Sequence, residues 1–237
     1  VLRPLKVILT NWPADKRDEL DMENHPNHPE MGTHKTVLTR EIYIEREDFM
    51  ENPPKKYFRL YPGNEVRLKG AYIIRCDGCE KDEQGNVTAV LCTVDMDTRN
   101  GTEGANRKVK GTLHWVSAED CIPVEARLYE PLLMDEDALA KEEAEADAEA
   151  QAEAEGAEAA PVSSATLKTD FLKKLNPDSL EVCRGYAERF LGDAQVGDTF
   201  QFLRMGYFCK DPDSTDEMPV FNRVVGLKDS FAKQVKG

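Results

Sequence analysis

The sequence predicts an all-β protein built from many short strands. Thirteen prolines and fifteen glycines are spread over 237 residues and separate short apolar runs. This spacing is typical of strands joined by turns and argues against a helical bundle. Runs such as Arg40–Glu45 alternate apolar with polar residues, which is the period of a half-buried strand. No run approaches the ~18 consecutive apolar residues of a membrane-spanning helix, so we expect a soluble protein.

One stretch, Lys55–Ile74, holds two strand-like runs joined by the turn signal Pro62-Gly63-Asn64. We interpret it as a hairpin in which Val66 and Leu68 face the core. Tyr57 is expected on the solvent face. The other predicted residues of that face are cationic: Lys55 or Lys56, Arg59, Arg67 and Lys69.

Cations and rings on one face suit an unstacked single-stranded nucleic acid. Ammonium groups bind phosphate, guanidinium forks bind base edges, and aromatic rings stack on bases. The alternative is an ordinary amphipathic hairpin whose charged face is merely solvated. The residue pattern alone favours that alternative.

Further strands are predicted along the whole chain. Val87–Val94 is expected to pair with Ala71–Arg75 across the turn 82–86. A short helical turn is expected at Arg46–Met50 and a short helix at Thr169–Leu175. The remaining strand predictions are Leu2–Leu9, Arg40–Glu45, Lys108–Val116, Val124–Tyr129, Leu180–Gly185, Thr199–Arg204, Gly206–Lys210 and Val220–Leu227.

The net charge of −14 is concentrated in one segment. Residues 135–158 contain eleven acids and one lysine, so the remainder of the chain is only mildly acidic. A local basic face on such a body is compatible with RNA binding, because phosphate contacts act at short range. The Ala/Glu-rich run 135–160 lacks an apolar stripe, and we interpret it as a solvated excursion.

Replacing Asp135–Ala160 with a short Gly/Ser linker is therefore expected to leave the melting temperature almost unchanged. The physical reason is that a segment without an apolar face has little surface to bury on a core. Thermal unfolding of both chains measures this. A drop of many degrees would show that the segment packs against a sheet.

The six cysteines do not form a complete metal-binding pattern. Cys76-x-x-Cys79 has the spacing of half a zinc site, but no second CxxC occurs, and His25 and His28 lie in a Pro-rich turn. We predict no metal site and reduced thiols. No nucleophile partner accompanies these histidines, so a surface-shaping loop is expected there, without catalytic residues.

Longer motifs carry a family resemblance. The segments are VLRPLKVILTNWP (1–13), NHPNHPEMGTHK (24–35), the 55–74 stretch, RKVKGTLHWVSAEDCIPVEARLYEPLL (107–133), FQFLRMGYFC (200–209) and PVFNRVVGLKDSFAK (219–233). In content and order they resemble the C-terminal half of glutaminyl-tRNA synthetases. The resemblance runs nearly end to end and is interrupted mainly near residues 135–165.

The resemblance implies two β-barrels of six-stranded, antiparallel type with a few short helices, which bind the anticodon stem-loop of glutamine tRNA. A distal barrel would comprise residues 24–125. A proximal barrel would combine 1–23 with 126–237 and include the acidic insertion. Neither HIGH-type nor KMSKS-type nucleotide signatures occur, and the chain opens on Val1. We therefore expect part of a cytoplasmic, monomeric class I ligase whose ATP and magnesium belong to the parent enzyme, with no cofactor in this chain and no membrane partner.

The resemblance also implies a set of anticodon contacts. Arg67 and Lys69 would serve the first base and its phosphate. Arg3, Gln201 and Arg204 would read the middle uracil, and Arg59 the third base, guanine. Further contact positions are Asn27, Lys56 and Lys228. Lysine stands at 56, 69 and 228 where the family has Gln, Arg and Arg, and it lacks a bidentate fork.

Two other functions remain open from the sequence. Glutamyl-tRNA synthetases of the archaeal and eukaryotic kind use the same barrels. A ribosomal protein family that binds five-S ribosomal RNA shares a related barrel without any synthetase.

Overall fold

The computed structural model describes residues 1–134, 172 and 174–227. In this part of the chain, strands dominate, and the helical segments are 3₁₀ turns of three to five residues. The all-β prediction is therefore confirmed. The strands are β1 (Pro4–Leu9), β2 (Asp18–Glu23), β3 (Thr33–Leu38), β4 (Glu41–Glu45), β5 (Glu65–Leu68), β6 (Ile73–Lys81), β7 (Val87–Asp95), β8 (Thr112–Leu113), β9 (Val116–Ser117), β10 (Cys121–Tyr129), β11 (Leu180–Glu188), β12 (Thr199–Phe202), β13 (Gly206–Lys210) and β14 (Val220–Gly226).

The strands form two main sheets and one ribbon. The first sheet has seven strands in the order β8-β5-β6-β7-β1-β4-β9, and the second has five in the order β11-β10-β14-β13-β12. Strands β2 and β3 form a separate antiparallel ribbon. Most pairings are antiparallel, but β1–β7, β5–β8 and β10–β14 are parallel. Both main sheets are curled, as barrel-like domains require.

The N-terminal strand lies in the seven-stranded sheet. β1 pairs with β4 on one side and β7 on the other, and its alternate residues Leu5, Val7 and Leu9 are buried. The assignment of Arg3, Gln201 and Arg204 to one base implies that this strand lies beside the Thr199–Arg204 strand. That placement is wrong, because β1 and β12 belong to different sheets. The wider division into barrels of 24–125 and of 1–23 plus 126–237 stays a prediction.

Contacts between Cα atoms divide the chain into two units. The first comprises Val1–Arg127 and Val182–Gly237, and it holds most of both main sheets. The second comprises Leu128–Glu181. In its described residues, an antiparallel bridge joins Leu133 to Leu175, and the Asn176 amide donates to the Leu132 carbonyl at 2.8 Å.

The predicted hairpin at Lys55–Ile74 is wrong in its first arm. Residues before the turn are irregular, because the Tyr57 amide closes a turn on the Pro54 carbonyl and Lys56 has a left-handed φ of 71°. Leu60 is fixed instead by a bridge to Phe49. The true hairpin partner of β5 is β6, joined through Gly70 with a φ of 66°. The pairing of β6 with β7 is confirmed.

Burial inside this stretch follows the predicted alternation only after the turn. Val66 and Leu68 are completely buried, as predicted. Before the turn, Tyr57 is buried and Phe58 is 50% exposed, opposite to the expectation, while Leu60 is buried. The exposed ring of this segment is therefore Phe58, with the Lys110 Nζ 5.3 Å from its centroid.

The remaining sequence expectations concern residues 108–116, the segment 135–175 and Lys228. The single strand predicted over Lys108–Val116 is two short strands, β8 and β9, with Trp115 between them. The acidic run 135–160 and Lys228 lie outside the described residues. Of the helix predicted at Thr169–Leu175, residues 172, 174 and 175 are described, and Leu175 forms the bridge to Leu133. No helix in residues 1–134, 172 or 174–227 is both long and apolar enough to cross a membrane.

Candidate nucleic-acid interface

A single turn, Glu45–Asp48, gathers three arginines that are far apart in sequence. It begins where β4 ends and continues as the 3₁₀ turn Arg46–Asp48. The Glu47 carboxylate lies 3.4 Å from Arg3 Nη1, and the Glu47 carbonyl accepts from Arg59 Nη1 at 3.2 Å. The next residue, Asp48, pairs with Arg204 and lies 3.6 Å from Arg59 Nε. We call Arg3, Arg59 and Arg204 the arginine cluster.

The position of Arg3 is fixed through its backbone. The Glu45 carboxylate accepts the amide protons of Leu2 at 2.7 Å and of Arg3 at 3.0 Å, and the Arg46 amide returns a bond to the Arg3 carbonyl. Glu45 is itself buried. These bonds tie the start of β1 to the Glu45–Asp48 turn. Arg204 reaches the same turn from the other main sheet, because it follows β12.

Asp48 is the buried anion of the site, with its side chain only 2% exposed. Burial raises the pKa of Asp48 to about 6, although the positive charges of Arg204 and Arg59 act in the opposite direction. The Asp48 carbonyl also accepts the Leu60 amide at 2.9 Å, which anchors the segment that carries Arg59. Tyr57 donates to the Glu47 carbonyl at 3.0 Å beside it.

Arg204 reaches Asp48 because the chain turns sharply after β12. Its φ is 64°, and the Met205 amide closes a turn on the Phe202 carbonyl. Alternation along the predicted strand Thr199–Arg204 would put Gln201 and Arg204 on opposite faces. The left-handed backbone at Arg204 changes the direction of its side chain. Non-glycine residues in a left-handed backbone conformation are strained, and such strain is concentrated at functional sites.

Lys56 is the second such residue. Among the described residues, Lys56 and Arg204 are the two non-glycines with positive φ. Both belong to the set of contacts implied by the family resemblance. The Lys56 side chain is exposed in the segment leading to Arg59.

Lys56→Gly is expected to raise the free energy of unfolding by ~0.5–1 kcal/mol, because glycine adopts this φ without the steric cost of a Cβ. Lys56→Ala keeps the strain and serves as the matched control, with little expected change. Urea unfolding measures both. If Lys56 contacts phosphate, the two variants weaken RNA binding equally, and unequal losses would point to an effect of the backbone.

A cavity of about 610 Å³ is lined by two more predicted residues, Lys69 and Gln201, and by Glu45 of the Glu45–Asp48 turn. The three arginines of the cluster are not among its lining residues. Its apolar wall includes Met22, Phe190, Phe200 and Phe202. Polar groups from several strands reach the same space. The arrangement therefore combines flat apolar walls with donors and acceptors, which suits an unstacked base.

A histidine–glutamate group forms the polar side of the cavity. His34 Nε2 lies 2.9 Å from Glu188, its Nδ1 lies 2.7 Å from Asn24, and its ring stacks on Phe190 at 3.9 Å. Burial would raise the pKa of Glu188, but the hydrogen bond to His34 and the nearby His114 lower it below its ordinary value. Burial also lowers the pKa of His114 to about 4. His34 thus forms part of the cavity wall.

The remaining predicted contacts do not join the cluster. Arg67 donates to the carbonyls of Ala105 at 2.7 Å and Arg107 at 2.9 Å, so its guanidinium holds the 103–107 turn. Asn27 is exposed in the turn between β2 and β3, where its amide donates to His25 Nδ1. Within the described residues, no group of three or more His, Cys, Asp or Glu side chains is arranged to hold a metal ion.

Sequence reasoning missed the residues that organise the site. Asp48 follows Arg46 and Glu47 and was treated only as part of a helical turn; its local pattern does not distinguish it from a solvated acid. Phe190, Phe200 and Phe202 were not predicted to form one wall. The signal that was available for Phe200 and Phe202 was their alternation in β12.

Two family models match the chain, one over residues 1–95 and the other over residues 112–211. Both are described as tRNA synthetases class I (E and Q), anti-codon binding domain. The chain belongs to this family. The first match ends with β7 and the second begins with β8. Together they include every strand except β14.

Three curated relatives of the chain are named glutamine–tRNA ligase. The chain is 48% identical over 232 residues to a glutamine–tRNA ligase of Clostridium perfringens. This match covers 98% of this chain and 37% of that protein. The chain is 44% identical over 232 residues to the enzyme of Clostridium kluyveri, with the same coverage, and 46% identical over 235 residues to that of Ralstonia nicotianae, covering 98% and 36%. The chain thus spans a little over a third of these relatives.

Proposed function

We propose that this chain is the anticodon-binding part of a glutamine–tRNA ligase and recognises the anticodon loop of glutamine tRNA. The observation that carries the proposal is the meeting of Arg3, Arg59 and Arg204 at one turn, whose first residue, Glu45, also lines a cavity with aromatic walls. Guanidinium groups read base edges, and the cavity can take a base out of the stack. The names of the relatives support glutamine as the amino acid.

The bases are assigned to residues as the resemblance implies. Arg67 and Lys69 serve the first base and its phosphate. Arg3, Gln201 and Arg204 serve the middle uracil, whose two carbonyls accept from arginines and whose N–H can be accepted by the Gln201 amide oxygen. Arg59 serves the third base, guanine, through O6 and N7. Asn27, Lys56 and Lys228 are further contacts of the proposal.

The geometry supports the middle-base assignment for the two arginines. Arg3 contacts Glu47, and Arg204 contacts the adjacent residue Asp48, although their strands belong to different sheets. Two guanidiniums held at neighbouring residues can donate to one pyrimidine. Gln201 contributes from the cavity wall.

The activity of the whole protein is part of the same proposal. The parent enzyme would attach glutamine to its tRNA with ATP and magnesium, as a class I ligase. We further propose a monomer that acts in the cytoplasm. The chain described above contributes recognition of the tRNA and no catalytic residue.

Binding to short RNA hairpins tests the proposal. One hairpin carries the loop with U in the middle and G at the third position, and a second replaces that G with C, which makes it a glutamate anticodon. The chain is expected to bind the first ~5–150-fold more tightly, the range of one good bidentate base contact. Equal affinity for both hairpins would contradict recognition of glutamine tRNA by this chain.

A salt series separates base contacts from phosphate contacts. Binding to a single-stranded loop should weaken with a slope of about −0.7 per phosphate contact on logarithmic axes. Preference for the third-base G should persist across the series, because base-edge contacts release few counterions.

A further inference from the structure

Asp48 offers its two carboxylate oxygens to two different arginines. Oδ2 pairs with Arg204 Nη2, and Oδ1 lies 3.6 Å from Arg59 Nε. Arg204 comes from the turn after β12, and Arg59 comes from the irregular segment before β5. One buried carboxylate therefore joins side chains that come from different parts of the chain.

Stability does not explain why a carboxylate occupies this position. Burial raises its pKa to about 6 in spite of two facing arginines, so loss of solvation outweighs the attraction. The other groups that face it do not favour the charge, since Glu45 and Glu47 also raise the pKa of Asp48 and Tyr57 faces the same space. The charged form thus costs folding free energy at neutral pH.

The raised pKa of Asp48 determines how its contribution to stability changes with pH. A carboxyl whose pKa is higher in the folded than in the unfolded state stabilises the fold below the unfolded pKa of 3.8, and this contribution disappears as pH rises through about 6. At pH 7 Asp48 is charged, and its contribution to stability is at its smallest. A role in holding Arg59 and Arg204 would account for a charged carboxylate at this position despite its cost in folding free energy.

We propose that Asp48 is a positioning residue that couples recognition of the middle and third anticodon bases by holding Arg204 and Arg59 on one carboxylate. This inference rests on the proposed function, which assigns Arg204 to the middle base and Arg59 to the third. Nothing in the family description or in the names of the relatives concerns Asp48. Disturbing this one side chain loosens both arginines at once.

The coupling gives a pattern that two independent contacts would not produce. Loss of the Asp48 charge reduces discrimination at the middle and third bases together. The effects of Arg59→Ala and Arg204→Ala on binding are less than additive, because each removal frees the shared carboxylate to rearrange around the other arginine.

Asp48→Asn tests the proposal, because asparagine keeps the shape and removes the charge. Hairpins with the cognate loop, a middle-base C and a third-base C are compared at pH 7.5. Discrimination is expected to fall ~5–50-fold at both positions, a substantial part of what paired base contacts provide. The melting temperature is expected to stay level or rise, since the raised pKa of Asp48 means that its charged form costs folding free energy and Arg204 is partly solvated.

Glu51→Gln is the matched control on the same segment. Glu51 is a partly exposed carboxylate whose ion-pair partner is Lys81, at 2.7 Å, and not an arginine of the cluster. Its replacement removes one negative charge at a similar place in the sequence. Discrimination at both bases is expected to remain unchanged.

A pH series on the unsubstituted chain tests the same idea without any mutation. Discrimination at both bases is expected to fall together as pH drops from 7.5 to 5, with a midpoint near 6. In Asp48→Asn the same series should be flat. The series remains decisive if the variant fails to fold.

Several outcomes overturn the inference. Undiminished discrimination in Asp48→Asn, or tighter binding, would show that Asp48 does not position these arginines for RNA. A drop in melting temperature that accompanies uniform loss for all hairpins would assign Asp48 a structural role only. If the unsubstituted chain fails to discriminate at all, the proposed function fails and the coupling falls with it, and this result differs from every outcome confined to Asp48.

Discussion

Trp115→Ala is expected to lower the free energy of unfolding by ~3–5 kcal/mol, the usual cost of emptying a buried aromatic position. Trp115 is 2% exposed and belongs to the main hydrophobic core. It lies between the short strands β8 and β9, where little backbone pairing compensates for its loss. Chemical denaturation with a two-state fit measures the change.

The indole also connects the core to the interface. Its Nε1 donates to the Lys69 carbonyl at 3.0 Å, at the end of β5. Trp115→Phe keeps most of the buried ring and loses this bond, so a smaller cost of ~1–3 kcal/mol is expected. Val224→Ala, at a side chain 62% exposed, is the control and should change stability by less than about 0.5 kcal/mol. A loss below 1 kcal/mol for Trp115→Ala would contradict the packing described.

Arg59→Ala is expected to weaken binding of the cognate hairpin by ~1–3 kcal/mol and to relax preference for G at the third position. Arg59 is 14% exposed, with its guanidinium fixed by Asp48 and by the Glu47 carbonyl. A fork held in this way discriminates well because little ordering remains to be done on binding. Titrations with the third-base G and third-base C hairpins measure both effects.

Arg59→Lys is the informative companion variant. Lysine keeps the positive charge and loses the bidentate geometry, so affinity should partly recover while preference for G does not. Equal losses for both hairpins in Arg59→Ala would reduce Arg59 to a phosphate contact. Melting temperatures of the variants separate this result from damage to the 45–60 region.

The strands that alternate most clearly were predicted well, because period-two burial is a local property. β4 and the 65–68 run of β5 lie within their predicted ranges, and β7 extends one residue beyond its predicted range. Val66 and Leu68 are buried as expected. The pairing of β6 with β7 was also predictable, since its turn carries Gly85 with a φ of 84°. Local chemistry specified each of these elements.

Alternation failed where the backbone leaves the extended region. It placed Tyr57 in solvent, whereas the turn at Pro54 and the left-handed Lys56 bury Tyr57 and expose Phe58. Alternation also does not predict which strands are neighbours, because strand pairing depends on contacts between segments that are distant in the sequence. The sequence pattern contains no information that puts β1 between β4 and β7.

By itself the sequence determined the fold class, the family and the cationic residues that can contact RNA. Only the tertiary structure decided that Arg3, Arg59 and Arg204 meet, because their contacts join segments up to 156 residues apart. It also decided the surroundings of Asp48, since the carboxylate gains its raised pKa from burial and its two arginine partners from distant segments. Burial arises when the β4 turn, the segment before β5 and the turn after β12 pack together, and no short window of sequence records that event.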